Sequence, residues 1–123
     1  MASVRSTDTK PELFVRRLVH GMGYRYRLHR QNLPGKPDLV FASRRKVIFV
    51  HGCFWHQHQD CRDGRRLPQS NLHYWRPKMA RNVARDAESI AALKAGGWHA
   101  LVVWECETVN QRRLEARLRR FLG

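Results

Sequence analysis

Long hydrophobic runs are absent from this sequence. Its longest apolar stretches are VIFV at 47–50 and ALVVW at 100–104, whereas a helix that spans a bilayer needs about 20 consecutive apolar residues. The first ten residues, MASVRSTDTK, also lack the apolar region of a secretory signal. We therefore expect no membrane-spanning segment and a cytoplasmic protein.

Acidic residues are scarce. The chain has 10 Asp and Glu against 24 Lys and Arg, which gives a formal net charge of +14. Such an excess of cations favours a polyanionic partner, usually nucleic acid. The alternatives are a basic protein that is merely soluble and one that binds an anionic membrane surface, but no helix combines a clean basic face with a bulky apolar one. We expect a nucleic-acid partner.

Cysteine is scarce as well, and its spacing is informative. The chain has three cysteines, an odd number, and two of them stand near histidines, which fits metal ligation in a reducing compartment better than a disulfide framework. Cys53, His58 and Cys61 form C-x4-H-x2-C, and Cys106 follows a predicted strand. Thiolates with one imidazole are ligands of a tetrahedral structural zinc. The alternative is that these cysteines are reduced core residues.

The 123 residues have the size of one domain, which we expect to span 1–123. Helix-start signals at Thr9, Pro11 and Glu12 predict a helix that stops near Gly21. Further patterns predict strands at 24–30, 38–42, 47–50 and 99–104, a hairpin between the second and third, and helices at 74–95 and 112–122. This order favours an α/β fold with a mixed β-sheet and helices packed on it.

A second polar set gathers at predicted strand ends. Asp38 starts a strand after the turn PGKP, His51 ends the next strand, and His56 follows it. A carboxylate at the end of a sheet can hold a hard cation such as Mg²⁺, and either histidine can serve as a general base or acid. Glu12 at the start of the first helix could join them. Alternatively, Asp38 caps a turn, Glu12 is a capping charge and the histidines only pack.

Aromatic residues lie between the metal-binding residues. Phe54 and Trp55 stand on a polar loop with little core to fill, and a basic protein can insert such side chains between base steps of a duplex. They could instead pack against the zinc site. Trp75 allows the same two interpretations.

Several stretches together resemble the Vsr family of very short patch repair endonucleases, from Asp8 to Glu107. The matching pieces are DTKPE at 8–12, LHR and LPGKPD within 28–38, VIFVHGCFWHQH at 47–58, SNLHYW at 70–75, KMARNVARD at 78–86 and GWHALVVWEC at 97–106. HGCFWH with a downstream WEC is highly specific. The resemblance implies a restriction-endonuclease-like fold with one structural zinc, and a Mg²⁺-dependent enzyme of the bacterial cytoplasm that nicks DNA 5′ to the T of a T:G mismatch.

The resemblance also implies a role for each matching residue. Asp38 and the backbone carbonyl of Val50 would hold Mg²⁺, His56 would be the catalytic histidine assisted by His51, and Glu12 would orient the water or the histidine. The implied zinc ligands are Cys53, His58, Cys61 and Cys106. The implied wedge that opens the DNA consists of Phe54, Trp55 and Trp75. On the long helix, we expect base or phosphate contacts from Lys78, Asn82 and Arg85.

Two departures from the family pattern widen the choice of functions. The zinc loop is one residue longer than in the usual family pattern, which leaves His56 as an alternative ligand. Only eleven residues precede Glu12, so we expect most of the basic helix that many members lay in the minor groove to be missing. The first hypothesis is a monomeric mismatch-nicking enzyme. The second is a nuclease with the same centre that cuts single-stranded or structured DNA, and the third is a DNA-binding module with zinc but no catalysis.

Overall fold

The computed structural model describes residues 9–30, 32–53, 56, 58, 61 and 72–123. The predicted wedge residues Phe54 and Trp55 lie outside this part of the chain. Helix α1 spans Lys10–Gly21, and the Thr9 hydroxyl accepts a hydrogen bond from the Glu12 amide, as the capping signal predicts. Among the described helices, none has the length and apolarity needed to cross a bilayer.

A four-stranded mixed sheet organises the molecule. Its strands are β1 Arg27–Leu28, β2 Leu39–Phe41, β3 Lys46–His51 and β4 His99–Trp104. They lie in the order β1-β2-β3-β4, with the first two pairings antiparallel and the third parallel. The other helices are α2 Leu72–Ala95 and α3 Gln111–Leu122. The predicted α/β class, hairpin and mixed sheet are confirmed.

The prediction of a strand over 24–30 is wrong in its extent. Only Arg27–Leu28 pairs with β2, because His29 has a φ of 46°, in the left-handed region where a chain leaves the strand direction. Tyr24 is buried, and its hydroxyl donates to the Gly123 carbonyl. The aromatic-basic alternation therefore reflects burial of the tyrosine side chains more than a long hydrogen-bonded ladder.

Both faces of the sheet are covered, and the residues of β3 alternate between them. Ile48 packs in the cluster formed with α1 and α3, which includes Val15 and Leu118. Val47 and Phe49 pack in the other cluster with Leu93 of α2. Because successive side chains of a strand point to opposite faces, a continuous apolar run such as VIFV is what a doubly covered strand requires.

The basic turn between β2 and β3 donates hydrogen bonds to the C-terminal ends of two helices. Arg44 donates to the Leu122 carbonyl at 2.7 Å and Lys46 to the Phe121 carbonyl at 2.6 Å, both at the end of α3. Arg45 donates to the Gly96 carbonyl just beyond α2 at 2.8 Å. Cations are favourable there because the last carbonyls of a helix carry its negative pole. These three cations therefore stabilise the fold. They lie at the end of β3 that is about 17 Å from His51.

Candidate metal and catalytic centre

The candidate centre lies where β2 begins and where β3 and β4 end. His51 and Trp104 are register partners at the ends of the parallel strands, and Asp38 precedes β2 at the same edge because β2 runs antiparallel to β3. A cavity of about 570 Å³ opens there. It is lined, among others, by Lys36, Asp38, Val50, His51, His56 and Asp86. The fold thus brings together strand ends that are separate in the sequence.

One wall of the centre carries two carboxylates and an imidazole. Asp38 Oδ2 accepts the Val50 amide at 2.7 Å. His29 Nε2 lies 2.7 Å from Glu12 Oε2 and 4.0 Å from Asp38 Oδ1. The potential ligand atoms of Glu12, His29 and Asp38 all fall within 4.8 Å of one another. This donor set fits a divalent cation, and Asp38 is the member of it that lines the cavity.

The electrostatics of this wall favour an added positive charge. Burial, together with the neighbouring Glu12 carboxylate, raises the pKa of Asp38 to about 7, against the lowering effect of the Val50 N–H and of His29. Glu12 itself is only 1% exposed and also contacts Arg16. A bound divalent cation would offset the cost of keeping the partly buried Asp38 carboxylate ionised beside Glu12.

A histidine pair and an aspartate from α2 also line the cavity. His56 Nδ1 lies 2.6 Å from Asp86 Oδ2, so the Nδ1–H tautomer donates to the carboxylate and Nε2 is left as an acceptor. His51 is buried beside it, and its Nδ1 has no hydrogen-bond partner among the described residues. Burial and the neighbouring His56 lower the pKa of His51 to about 4, so this imidazole is neutral at neutral pH.

The four predicted zinc ligands come together. His58 Nδ1 lies 3.7 Å from Cys53 Sγ and 3.5 Å from Cys106 Sγ, and the four ligand atoms, including Cys61 Sγ, are within 4.8 Å of one another. Ligand atoms on a tetrahedral zinc with ordinary Zn–S and Zn–N bonds are about 3.6 Å apart. The Cys3His cluster therefore indicates a structural zinc, whereas the alternative ligand His56 is paired with Asp86.

The chemistry of the cysteines agrees with a metal site. Without a cation, burial raises the pKa of the Cys53 thiol to about 12 and also raises that of Cys106. The Cys106 amide donates to Cys53 Sγ at 3.4 Å, as a thiolate ligand requires. Zinc binding would deprotonate these thiols and supply the charge that the buried sulfurs need.

Trp104 connects the zinc cluster to the histidine pair. The His58 ring stacks on Trp104 with centroids 4.1 Å apart, and His51 meets the same indole edge-on at 5.2 Å. Both imidazoles are thereby packed against the end of β4.

The three predicted DNA-contacting residues of α2 lie in two different places. Asn82 and Arg85 line the cavity next to Asp86. The Lys78 ammonium instead lies over the Tyr74 ring, 4.6 Å from its centroid, and 5.9 Å from that of Trp75. Trp75, the described member of the predicted wedge, therefore belongs to an aromatic-cation group nearer the start of α2.

Two residues of the centre, His29 and Asp86, were not predicted from the sequence. The sequence does hold a signal for Asp86: it follows Asn82 by four residues, so both side chains lie on the same helix face. His29 had none, since it stands at the end of an alternating stretch that is typical of an ordinary strand.

Comparisons with known proteins identify sequence relatives of this chain. The family model described as "DNA mismatch endonuclease Vsr" matches residues 1–63. The Type II nicking enzyme V.XorIIP of Xanthomonas oryzae is 58% identical over 99% of this chain and 88% of its own length. The DNA mismatch endonuclease Vsr of Escherichia coli is 37% identical over 93% of this chain and 72% of its own length.

The fold also has a match among solved structures. The catalytic domain of the homing endonuclease I-Bth0305I superposes with a TM-score of 0.64. The match covers 93% of this chain and 94% of that domain at 18% sequence identity. At that identity, the similarity establishes a shared endonuclease-like architecture and no more.

Proposed function

The chain belongs to the Vsr family and is a DNA nicking endonuclease, and on that premise we propose that it cleaves duplex DNA 5′ to the T of a T:G mismatch. The relatives named mismatch endonuclease and nicking enzyme support the substrate and the single-strand cut. One observation carries the chemistry: Asp38, which lies beside the buried Glu12, and the His56–Asp86 pair line the same cavity. The catalytic unit is the chain over 1–123, acting as a monomer on DNA in the bacterial cytoplasm.

Asp38 and the backbone carbonyl of Val50 are the proposed holders of a catalytic Mg²⁺. The Val50 N–H bond to Asp38 Oδ2 fixes the carboxylate at the cavity wall, and carboxylate, carbonyl and phosphate oxygens are the ligands that Mg²⁺ takes in nucleases. When bound, the cation supplies charge stabilisation to the scissile phosphate. The buried Glu12 is the proposed accessory residue, which orients the attacking water or the catalytic histidine.

His56 is the proposed general base. Asp86 holds the Nδ1–H, so Nε2 accepts the proton of a water molecule as that water attacks phosphorus. The bond to the 3′-oxygen breaks in line with the attack, and the departing oxygen takes a proton from solvent water, which leaves a 5′-phosphate and a 3′-hydroxyl. His51 stacks on His56 with nearly parallel rings and restrains the plane in which the base lies.

The proposed DNA contacts surround this cavity. Asn82 and Arg85 contact bases or phosphates at its rim, and Lys78 and Trp75 extend the surface along α2. Phe54 and Trp55, with Trp75, form the wedge that opens the base stack at the bond that is cut. In this proposal the zinc cluster fixes the loop from which the wedge and His56 project.

A nicking assay on defined oligonucleotides tests the proposal. End-labelled duplexes with a T:G mismatch in several contexts, the matched duplexes and the single strands are incubated with Mg²⁺ and resolved on a denaturing gel, with Asp38→Ala as the control. The expected result is one Mg²⁺-dependent nick 5′ to the mismatched T that disappears in the variant. Cleavage of the single strand, or of matched and mismatched duplexes alike, would refute the mismatch specificity, and cleavage that persists in Asp38→Ala would refute the assigned centre.

A further inference from the structure

His29 occupies a strained backbone position beside both carboxylates of the centre. Its φ of 46° is uncommon for a residue with a side chain, and its amide donates to the Asp38 carbonyl at 3.2 Å. Strained backbone persists where the surrounding structure holds it, and such positions concentrate at functional sites. The strain places the imidazole against the acidic wall, with its side chain only 20% exposed.

One ring nitrogen of His29 lies close to both carboxylates. Nε2 lies 2.7 Å from Glu12 Oε2 and 4.0 Å from Asp38 Oδ1. Neighbouring and opposite ligands of one divalent cation, at about 2.1 Å from it, lie about 3 to 4.2 Å apart. Shifts of a few tenths of an ångström would therefore let the three side chains share one cation.

A nitrogen donor changes which cation the site prefers. Mg²⁺ selects oxygen ligands with strict octahedral geometry, whereas imidazole is a ligand of the first-row transition metals. Mn²⁺ takes the same carboxylate oxygens as Mg²⁺ but, as a first-row transition ion, binds an imidazole nitrogen more strongly. The approach of Nε2 to Asp38 at 4.0 Å is a second contact, which a simple His29–Glu12 hydrogen bond would not need.

We propose that His29 is a nitrogen ligand of the catalytic cation and that the site therefore binds Mn²⁺ in preference to Mg²⁺. The inference rests on the metal-dependent chemistry proposed above, but it does not depend on mismatch specificity. Asp38 and the Val50 carbonyl keep the roles proposed above, Glu12 adds a second carboxylate oxygen, and His29 supplies the nitrogen that distinguishes the two ions.

Metal binding to the zinc-loaded protein without DNA provides the test. Free Mn²⁺ is counted by electron paramagnetic resonance during titration and during competition with Mg²⁺, and pulsed spectra of bound Mn²⁺ report coupling to ¹⁴N. His29→Gln keeps an amide that can donate to Glu12, and His99→Gln is the matched control, because His99 is exposed at the opposite end of β4.

The proposal predicts ¹⁴N coupling in the wild type and in His99→Gln that is lost in His29→Gln. It also predicts that His29→Gln weakens Mn²⁺ binding about tenfold and Mg²⁺ binding much less, so that the Mn²⁺/Mg²⁺ preference falls. Absence of ¹⁴N coupling in the wild type overturns the proposal without any variant. If folded His29→Gln shows unchanged ¹⁴N coupling or an unchanged Mn²⁺/Mg²⁺ preference, the proposal is also overturned. In that case, a variant that loses only nicking rate would identify His29 as a positioning residue for Glu12.

Asp38→Asn separates this inference from the assignment of the catalytic centre. It should abolish binding of both cations. Mn²⁺ that still binds with ¹⁴N coupling in Asp38→Asn would place the ligand nitrogen at another site and overturn the proposal. Wild-type protein that binds Mn²⁺ through His29 but cuts matched and mismatched DNA alike would leave the ligand assignment intact and refute only the mismatch specificity.

Discussion

The imidazoles of His51 and His56 stack face to face, with ring centroids 3.8 Å apart and planes that differ by 6°. Two imidazolium cations at this separation would repel each other, so the stack disfavours a positive charge on both rings. The surroundings of the two rings differ: burial lowers the pKa of His51, whereas His56 Nδ1 has a carboxylate partner in Asp86. This asymmetry is the physical reason for assigning the base to His56 and the supporting role to His51.

Asp86→Asn is expected to slow nicking strongly while DNA binding is retained. The amide cannot stabilise a positive charge on His56 or enforce the Nδ1–H tautomer, so the single-turnover rate should fall about 100-fold, within the range of general-base effects. Glu88→Gln makes the same change of charge at an exposed position of α2 and should leave the rate unchanged. Equal rates for Asp86→Asn and the wild type would contradict the role of the pair.

Arg85→Gln is expected to weaken DNA binding through loss of a phosphate contact at the cavity rim. The slope of the logarithm of affinity against the logarithm of salt concentration should become shallower by about 1. Arg112→Gln, which removes an exposed cation on α3, serves as the control in the same fluorescence-anisotropy titrations. If both variants show the same salt dependence, Arg85 makes no specific contact.

Cys106→Ser is expected to destabilise the whole fold and not only the chemistry. The cysteine joins the end of β4 to the loop carrying Cys53 and His58, and the free energy of zinc binding contributes to folding. Metal analysis should find one zinc per wild-type chain and less in the variant, whose melting temperature should fall. A folded, zinc-free and inactive variant would contradict the structural role.

Gly35→Ala is expected to disturb the turn that precedes Asp38. Gly35 has a φ of +75°, and an added Cβ would lie 2.7 Å from the Ser89 Cβ on α2, so both backbone strain and a clash oppose the change. We expect the free energy of unfolding to fall by about 2 kcal/mol and the nicking rate to fall with it. Gly21→Ala, where a Cβ would meet nothing within 4 Å, should be nearly neutral in the same denaturant melts.

Much of the fold could be predicted because its signals are local. The cap at Thr9, the two strands of the hairpin and the apolar stripe of the last helix depend on neighbouring residues, and all three are present in the structure. The short first strand was overestimated, since alternation cannot show that His29 turns the backbone away.

The sequence by itself determined the class of fold, the family and the residue types of the zinc cluster, because helix caps, strand periodicity and ligand spacing act over short stretches of chain. Only the tertiary structure decided which polar side chains meet. His29 and Glu12 are 17 residues apart in the chain, and His56 and Asp86 are 30 apart. These pairs form because α1 and α2 pack on opposite faces of the sheet beside the same strand ends, a long-range arrangement that no local pattern encodes.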